Sequence, residues 1–219
     1  MASSSGASRL RYVAVEGPIG VGKTTLARRL AESLGSKLIL EDPANNPFLN
    51  DFYADPRCYS LATQLHFLMS RRESMRYITD RADANTWVSD FVFQKDQLFA
   101  SLTLDEKQFR LYRTIASELA FDLVLPDLVV YLQAPSDVLF DRIEKRGKSA
   151  EQSIASSYIA RLQNAYKEYF HNYSDTSVLI VNAAEIDFDD NDADYEQLLE
   201  RIVAIKAGRH YFNPSPMAV

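Results

Sequence analysis

Cysteine is almost absent from this chain: Cys58 is the only one in 219 residues. No internal disulfide can form, and a single thiol fits a reducing, cytoplasmic setting. With no second cysteine and no histidine beside it, Cys58 reads as a semi-buried, inert thiol. Long apolar runs are missing too. None reaches the roughly 18 residues that a membrane-spanning helix needs. An excess of positive charge is also lacking: 24 Lys and Arg stand against 30 Asp and Glu, a net charge of −6. That balance argues against a nucleic-acid polymer as partner, and any phosphate site must gather its cations locally. There are no repeats and no Pro/Gly-rich linker. With 47% hydrophobic residues, the chain reads as one compact α/β domain over residues 11–207. Residues 1–10, which contain the Ser-rich "MASSSGAS", read as a disordered tail rather than a secretory signal. Residues 208–219, "GRHYFNPSPMAV", read as a loop-like C-terminal tail.

Glycine is scarce as well, with seven in all, yet three fall within six residues in "VEGPIGVGKTTLARRL". The pattern is G-x-x-x-x-G-K-T, from Gly17 to Thr24. An apolar, β-rich run precedes it. A helical pattern with Leu26, Leu30 and Leu34 follows it and stops at Gly35. That context is the one a phosphate-binding loop requires. Gly17, Gly20 and Gly22 leave backbone N–H groups free to approach a polyphosphate, with Val21 between them. The helix that follows, entered through Thr24 and Thr25, turns its positive end toward the anion. Lys23 can bridge the β- and γ-phosphates, and the Thr24 hydroxyl can reach Mg²⁺. The stretch is read as a nucleoside triphosphate site.

Five short apolar runs read as buried parallel strands: 11–16, 37–41, 86–90, 127–133 and 178–182. Helical stretches at 55–77, 105–123, 136–146, 149–170 and 193–207 alternate with them. The expectation is a doubly wound sheet of about five parallel strands, of the P-loop NTPase type, with helices on both faces and a basic lid. Ligands bind such sheets at the carboxyl ends of the strands. Acids crowd there: Glu16, Glu41, Asp42 and Asp90. Asp90, beside a phosphate loop, can hold Mg²⁺ or accept the proton of an attacking hydroxyl. Its plainer role would be to cap the next helix. Asp42, before Pro43, reads as a turn residue.

Several spacings together resemble the deoxyribonucleoside kinase family, over roughly residues 11–207. "EDPANNPFLNDFY" is similar to that family's glutamate–proline segment, which implies that Glu41 contacts the 5′-hydroxyl of a nucleoside. "FYADPRCYSLATQLHFLMSRRE" resembles its substrate helix, with Tyr53, then Gln64 eleven residues on, then Arg71 seven further. Seven residues is about two turns, so Gln64 and Arg71 share a face. A Gln amide can read a base edge as donor and acceptor. In "SDFVFQKDQLFA", Asp90 matches the catalytic acid and Asp96 the acid that partners the helix arginine. The arginine expected beside the catalytic acid is replaced by Phe91. "RIEKRGKSAEQSIASSYIARLQ" resembles the lid: Arg142, Arg146 and Lys148 close over the phosphates, and Glu151 and Tyr158 lie near the sugar 3′-hydroxyl. "EIDFDD" resembles the adenine-side loop, placing Asp187 and Phe188 against the ATP base.

The resemblance implies transfer of the ATP γ-phosphate to the 5′-hydroxyl of a deoxynucleoside; Gln64, Arg71 and Asp96 suit either a purine or cytosine in that family, and the lack of an extra bulky residue near them favours purines. ATP and Mg²⁺ are the implied cofactors, with Thr24 and Asp90 as metal ligands and Lys23, Asp90, Arg142 and Arg146 as catalytic groups. It also implies a homodimer through the long helices. Two alternatives stay open. One is a thymidylate or nucleoside-monophosphate kinase, which would need more arginine around its acceptor. The other is a catalytically weakened nucleotide-binding sensor subunit, for which Phe91 speaks.

Overall fold

The computed structural model describes residues 10–81, 85–119, 123–147, 151, 154–186, 188 and 191–214. Its strands are β1 (Tyr12–Glu16), β2 (Lys37–Ile39), β3 (Trp87–Ser89), β4 (Leu128–Gln133), β5 (Ser177–Asn182) and β6 (Arg209–Phe212). They form one sheet in the order β2-β3-β1-β4-β5-β6, every pairing parallel. The helices are α1 (Lys23–Ser33), α2 (Leu49–Ala54), α3 (Pro56–Arg81), α4 (Lys95–Thr103), α5 (Glu106–Leu119), α6 (Ser136–Arg146), α7 (Ser156–Asn172) and α8 (Asp192–Ala204). From β1 the chain proceeds to β2 at one edge of the sheet, and from β4 to β5 toward the other edge. A crevice therefore opens at the carboxyl end of β1.

Strand alternation sorts the core into two layers. Val13 and Val15 of β1 face the layer built with Leu26 and Leu30 of α1, Leu139 of α6 and Leu198 of α8. Tyr12 and Ala14 face the other, with Leu68 of α3, Leu98 of α4, Tyr112 of α5 and Tyr166 of α7. There Tyr131 stacks on Phe170 at 4.1 Å between ring centroids.

The sheet has one strand more than the sequence pattern indicates. β6 lies in the segment read as a C-terminal tail. It is an edge strand of four residues, none of them buried, so it carries no apolar alternation. Its anchor is Arg209, which donates to the carbonyls of Phe170, His171 and Tyr173 at the end of α7. Two helices also depart from the periodicity. α2 is a separate piece before Pro56, and α4 follows β3 directly. The helix expected at 149–170 begins only at Ser156 and ends at Asn172. Cys58 is exposed in the first turns of α3, not half-buried.

The glycines of the loop after β1 are required by geometry. Gly20 and Gly22 have φ of 85° and 100°, in the left-handed region. A Cβ on Gly17 would lie 2.4 Å from the Leu132 carbonyl oxygen of β4. Gly17→Ala therefore pushes the loop off the sheet. It should lower stability by about 1–3 kcal/mol, the usual range for overpacking, read as a shifted urea midpoint.

Candidate active site

The loop from Gly17 to Gly22 leaves β1 and feeds α1 at Lys23. Lys23 folds back on the loop, its Nζ 2.8 Å from the Gly17 carbonyl and 3.1 Å from that of Pro18. Burial pulls its pKa from an ordinary 10.5 to about 8; Lys95 adds to the shift, and Glu16, Glu41 and Asp90 oppose it. The next residue, Thr24, donates its hydroxyl to Asp90 Oδ2 at 2.6 Å. Asp90 Oδ1 accepts from the Glu41 backbone N–H at 2.7 Å. Asp90 caps no helix, since α4 starts five residues later. It ties the phosphate loop to the segment after β2.

A hydroxyl and a carboxylate in contact, with no group of three metal-ligating side chains among the described residues, are a donor set that suits Mg²⁺. That ion takes few protein ligands and fills its shell with phosphate oxygens and water.

Behind this pair lies a buried charge cluster. Glu16 is wholly buried at the end of β1. Its Oε1 accepts from Gly17 N–H at 2.8 Å and the Tyr166 hydroxyl at 3.0 Å; its Oε2 accepts from Val92 N–H at 2.8 Å. Lys95, the first residue of α4, is 2% exposed. Its Nζ stands 3.6 Å from Glu16 Oε2 and 3.4 Å from Glu41 Oε2. Arg71 pairs with both Glu41 and Asp96. Burial alone would raise the Glu41 pKa. Arg71 foremost, then Lys95 and Lys23, outweigh it and bring the value from 4.5 to about 2.

The cluster floors a cavity lined also by Tyr53, Gln64, Phe67, Phe99, Glu151 and Tyr158. So the residues singled out on α2, α3, α4 and α7 do converge on one pocket, with Asp96 reaching it through Arg71. As it stands the cavity holds about 90 Å³, below the roughly 300 Å³ of ordinary ligand sites. Burial raises the pKa of Tyr158 to about 12 and drives that of Tyr53 higher still, so both hydroxyls are neutral donors. A second cavity of about 260 Å³ lies across the loop, between Gly20, Val21, Gly22, Thr25, Arg142, Arg146, Ile186 and Phe188. Arg142 donates to the Ala184 and Ile186 carbonyls. Arg146 donates twice to Glu151 Oε2, at 3.1 and 2.6 Å. Lys148 and Asp187 lie outside the described residues. The sequence pattern places Glu16 at a strand end without assigning it a role, and nothing local marks Lys95 as an interior residue.

Residues 13–205 match the deoxynucleoside kinase family. The chain belongs to that family. It is 32% identical to a deoxyguanosine kinase of Bacillus subtilis, over 87% of this chain and 95% of the relative. It is 29% identical to a deoxyadenosine kinase of Dictyostelium discoideum, over 92% of this chain and 82% of the relative. A deoxyadenosine kinase of M. mycoides, solved with dCMP and dCDP bound, superposes with a TM-score of 0.78 at 24% identity, covering 89% of this chain and all of the other. That likeness concerns the fold. The Phe91 ring, next to Asp90, is fully buried in the core.

The lowered Glu41 pKa makes a pH prediction. A carboxyl whose folded pKa lies below its unfolded value contributes stability that is complete above the unfolded pKa and is lost as pH falls through the folded one. Here that window runs from about 4.5 down to about 2. Glu41→Gln should flatten the fall of unfolding free energy between pH 5 and pH 3, measured by urea titration at each pH. An unchanged slope would mean the ion pairs do not hold Glu41 ionised.

Proposed function

We propose that this chain transfers the γ-phosphate of ATP to the 5′-hydroxyl of a purine deoxynucleoside. One observation carries the assignment of the acceptor side. Gln64 lines the pocket, is 3% exposed as a residue, and its side-chain amide makes no hydrogen bond among the described residues. Its amide is not among the fully buried unpaired atoms, so it borders the cavity with its donor and acceptor free for a ligand. Its donor and acceptor match the N7/N6 edge of adenine. Arg71, two turns on, has its guanidinium fixed by two carboxylates and presents the donors that suit the N7/O6 edge of guanine. The named relatives act on deoxyguanosine and deoxyadenosine, which supports the purine class.

On this reading the triphosphate sits on the Gly17–Thr24 loop with its base toward Phe188, and Arg142 and Arg146 face its phosphates. Mg²⁺, held between Thr24, Asp90 and the phosphates, would neutralise charge there. Glu41 and Asp90 orient the 5′-hydroxyl, and Asp90 takes its proton as the oxygen attacks. Tyr53, Glu151 and Tyr158 hold the sugar. Catalysis is mainly positioning and charge stabilisation. The two carboxylates at the acceptor end would repel a substrate already phosphorylated, which disfavours a monophosphate kinase. Exposed Met69, Tyr77 and Leu111 on α3 and α5 support a homodimer through the long helices.

Two variants test this. Asp90→Asn keeps the shape but takes no proton, and kcat should fall by about 10²–10⁴-fold with ATP KM little changed. Gln64→Ala should raise the deoxynucleoside KM by at least about tenfold, the equivalent of one lost buried hydrogen bond, and leave ATP KM alone. Coupled ADP-release assays over the four deoxynucleosides and their monophosphates read both. Near-wild-type kcat in Asp90→Asn, or a preference for monophosphates, would defeat the assignment.

A further inference from the structure

Phosphoryl transfer places a growing negative charge where the acceptor oxygen meets the γ-phosphate, so a fixed cation there lowers the barrier. In this chain the residue next to Asp90 cannot provide one. Phe91 is neutral, and its side chain packs with the core layer of α3, α4, α5 and α7 rather than in the pocket. Four residues further along the same segment stands Lys95. It is among the largest fully buried side chains of the protein. It also begins α4, and a helix N-terminus disfavours a cation. Two costs, burial and helix dipole, fall on one ammonium.

Structural pairing accounts for only part of it. Its two carboxylate neighbours stand at 3.4 and 3.6 Å, well beyond the roughly 2.7–2.9 Å of a charge-assisted hydrogen bond. Glu16 already accepts three shorter bonds from Gly17, Val92 and Tyr166. Glu41 is already paired with Arg71. Among the described residues Lys95 has one further contact, the Phe99 ring at 5.8 Å. An ammonium with three protons thus has one hydrogen bond, a long one to Glu41 Oε2 at 3.4 Å, and it lines the same cavity as Lys23, Glu41 and Gln64. Its charge also acts on Lys23, whose pKa it helps to lower.

We propose that Lys95 is a catalytic residue of this kinase, donating from inside the acceptor pocket to the phosphoryl group in flight. The inference rests on the deoxynucleoside kinase reading of the site. The 5′-oxygen forms its bond to the γ-phosphorus, the bond from that phosphorus to the β,γ-bridging oxygen breaks, and ADP leaves with that oxygen. The hydroxyl proton goes to Asp90. Lys95 keeps its own protons and hydrogen-bonds a non-bridging phosphoryl oxygen. Lys23 approaches the phosphates from the loop side and Lys95 from the acceptor side.

The wild-type enzyme is first shown to phosphorylate a deoxynucleoside; failure there defeats the functional reading and not the Lys95 assignment alone. Lys95→Met, Lys95→Gln and Lys95→Arg are then compared, each checked for a cooperative thermal melt. Lys95→Gln guards against misfolding of the Met variant, since it retains a donor. In both neutral variants, which lose the fixed positive charge, kcat should drop by about 10²–10³-fold, while the deoxynucleoside Kd stays within about threefold. The Kd of the monophosphate product should weaken at least about tenfold, the loss of one charged hydrogen bond. Lys95→Arg should restore part of kcat. If Lys95 only neutralises Glu16 and Glu41, nucleoside and monophosphate affinities will fall together, and the proposal is wrong. A kcat within threefold of wild type in either folded neutral variant also overturns it.

Discussion

Everything at this site hangs on the carboxylate of Glu16. It ends β1 in the centre of the sheet with no exposure to solvent. One oxygen takes the first N–H of the phosphate loop and the hydroxyl of Tyr166 on α7; the other takes the N–H of Val92. A buried carboxylate this well bonded is tolerated, whereas an orphaned one would be severely destabilising. Strand β1, the Gly17–Gly22 loop, the segment after β3 that carries Asp90 and helix α7 are thereby fixed to one anchor. Asp90 repeats the device one layer outward, joining Thr24 of α1 to the backbone at Glu41.

The two cavities share more than the phosphate loop. Arg146 borders the donor-side cavity and bonds Glu151, which borders the acceptor-side cavity. This ion pair is partly exposed, so its strength is modest. Its position matters more than its energy.

Much of this was readable from local pattern. The loop announces itself because polyphosphate binding demands glycine at fixed spacing, and the strand-end rule picked out Glu16, Glu41 and Asp90. Gln64 and Arg71 share a face because helical geometry leaves no choice. What escaped was set by distance along the chain. Tyr166 meets Glu16 across 150 residues, and no window of sequence shows that. β6 carries no alternation because an edge strand has one partner and an open flank. α4 is short and mixes Lys95 and Asp96 with apolar residues, so its buried face is not periodic. Lys95 looks like a surface lysine in sequence, and only the folded cluster reveals an interior one.

The electrostatics of Lys23 show how the cluster is suited to its ligand. In the free protein its ammonium is disfavoured, first by burial and then by Lys95, and the pKa sits near 8. It bonds loop carbonyls that a polyphosphate would replace as acceptor. The same two cations that repel each other in the empty site attract a common anion placed between them. A triphosphate bound there would remove an unfavourable term as well as add a favourable one. A site with cations already held apart by Glu16, Glu41 and Asp90 needs little rearrangement when the charge develops, which is the physical content of electrostatic preorganisation.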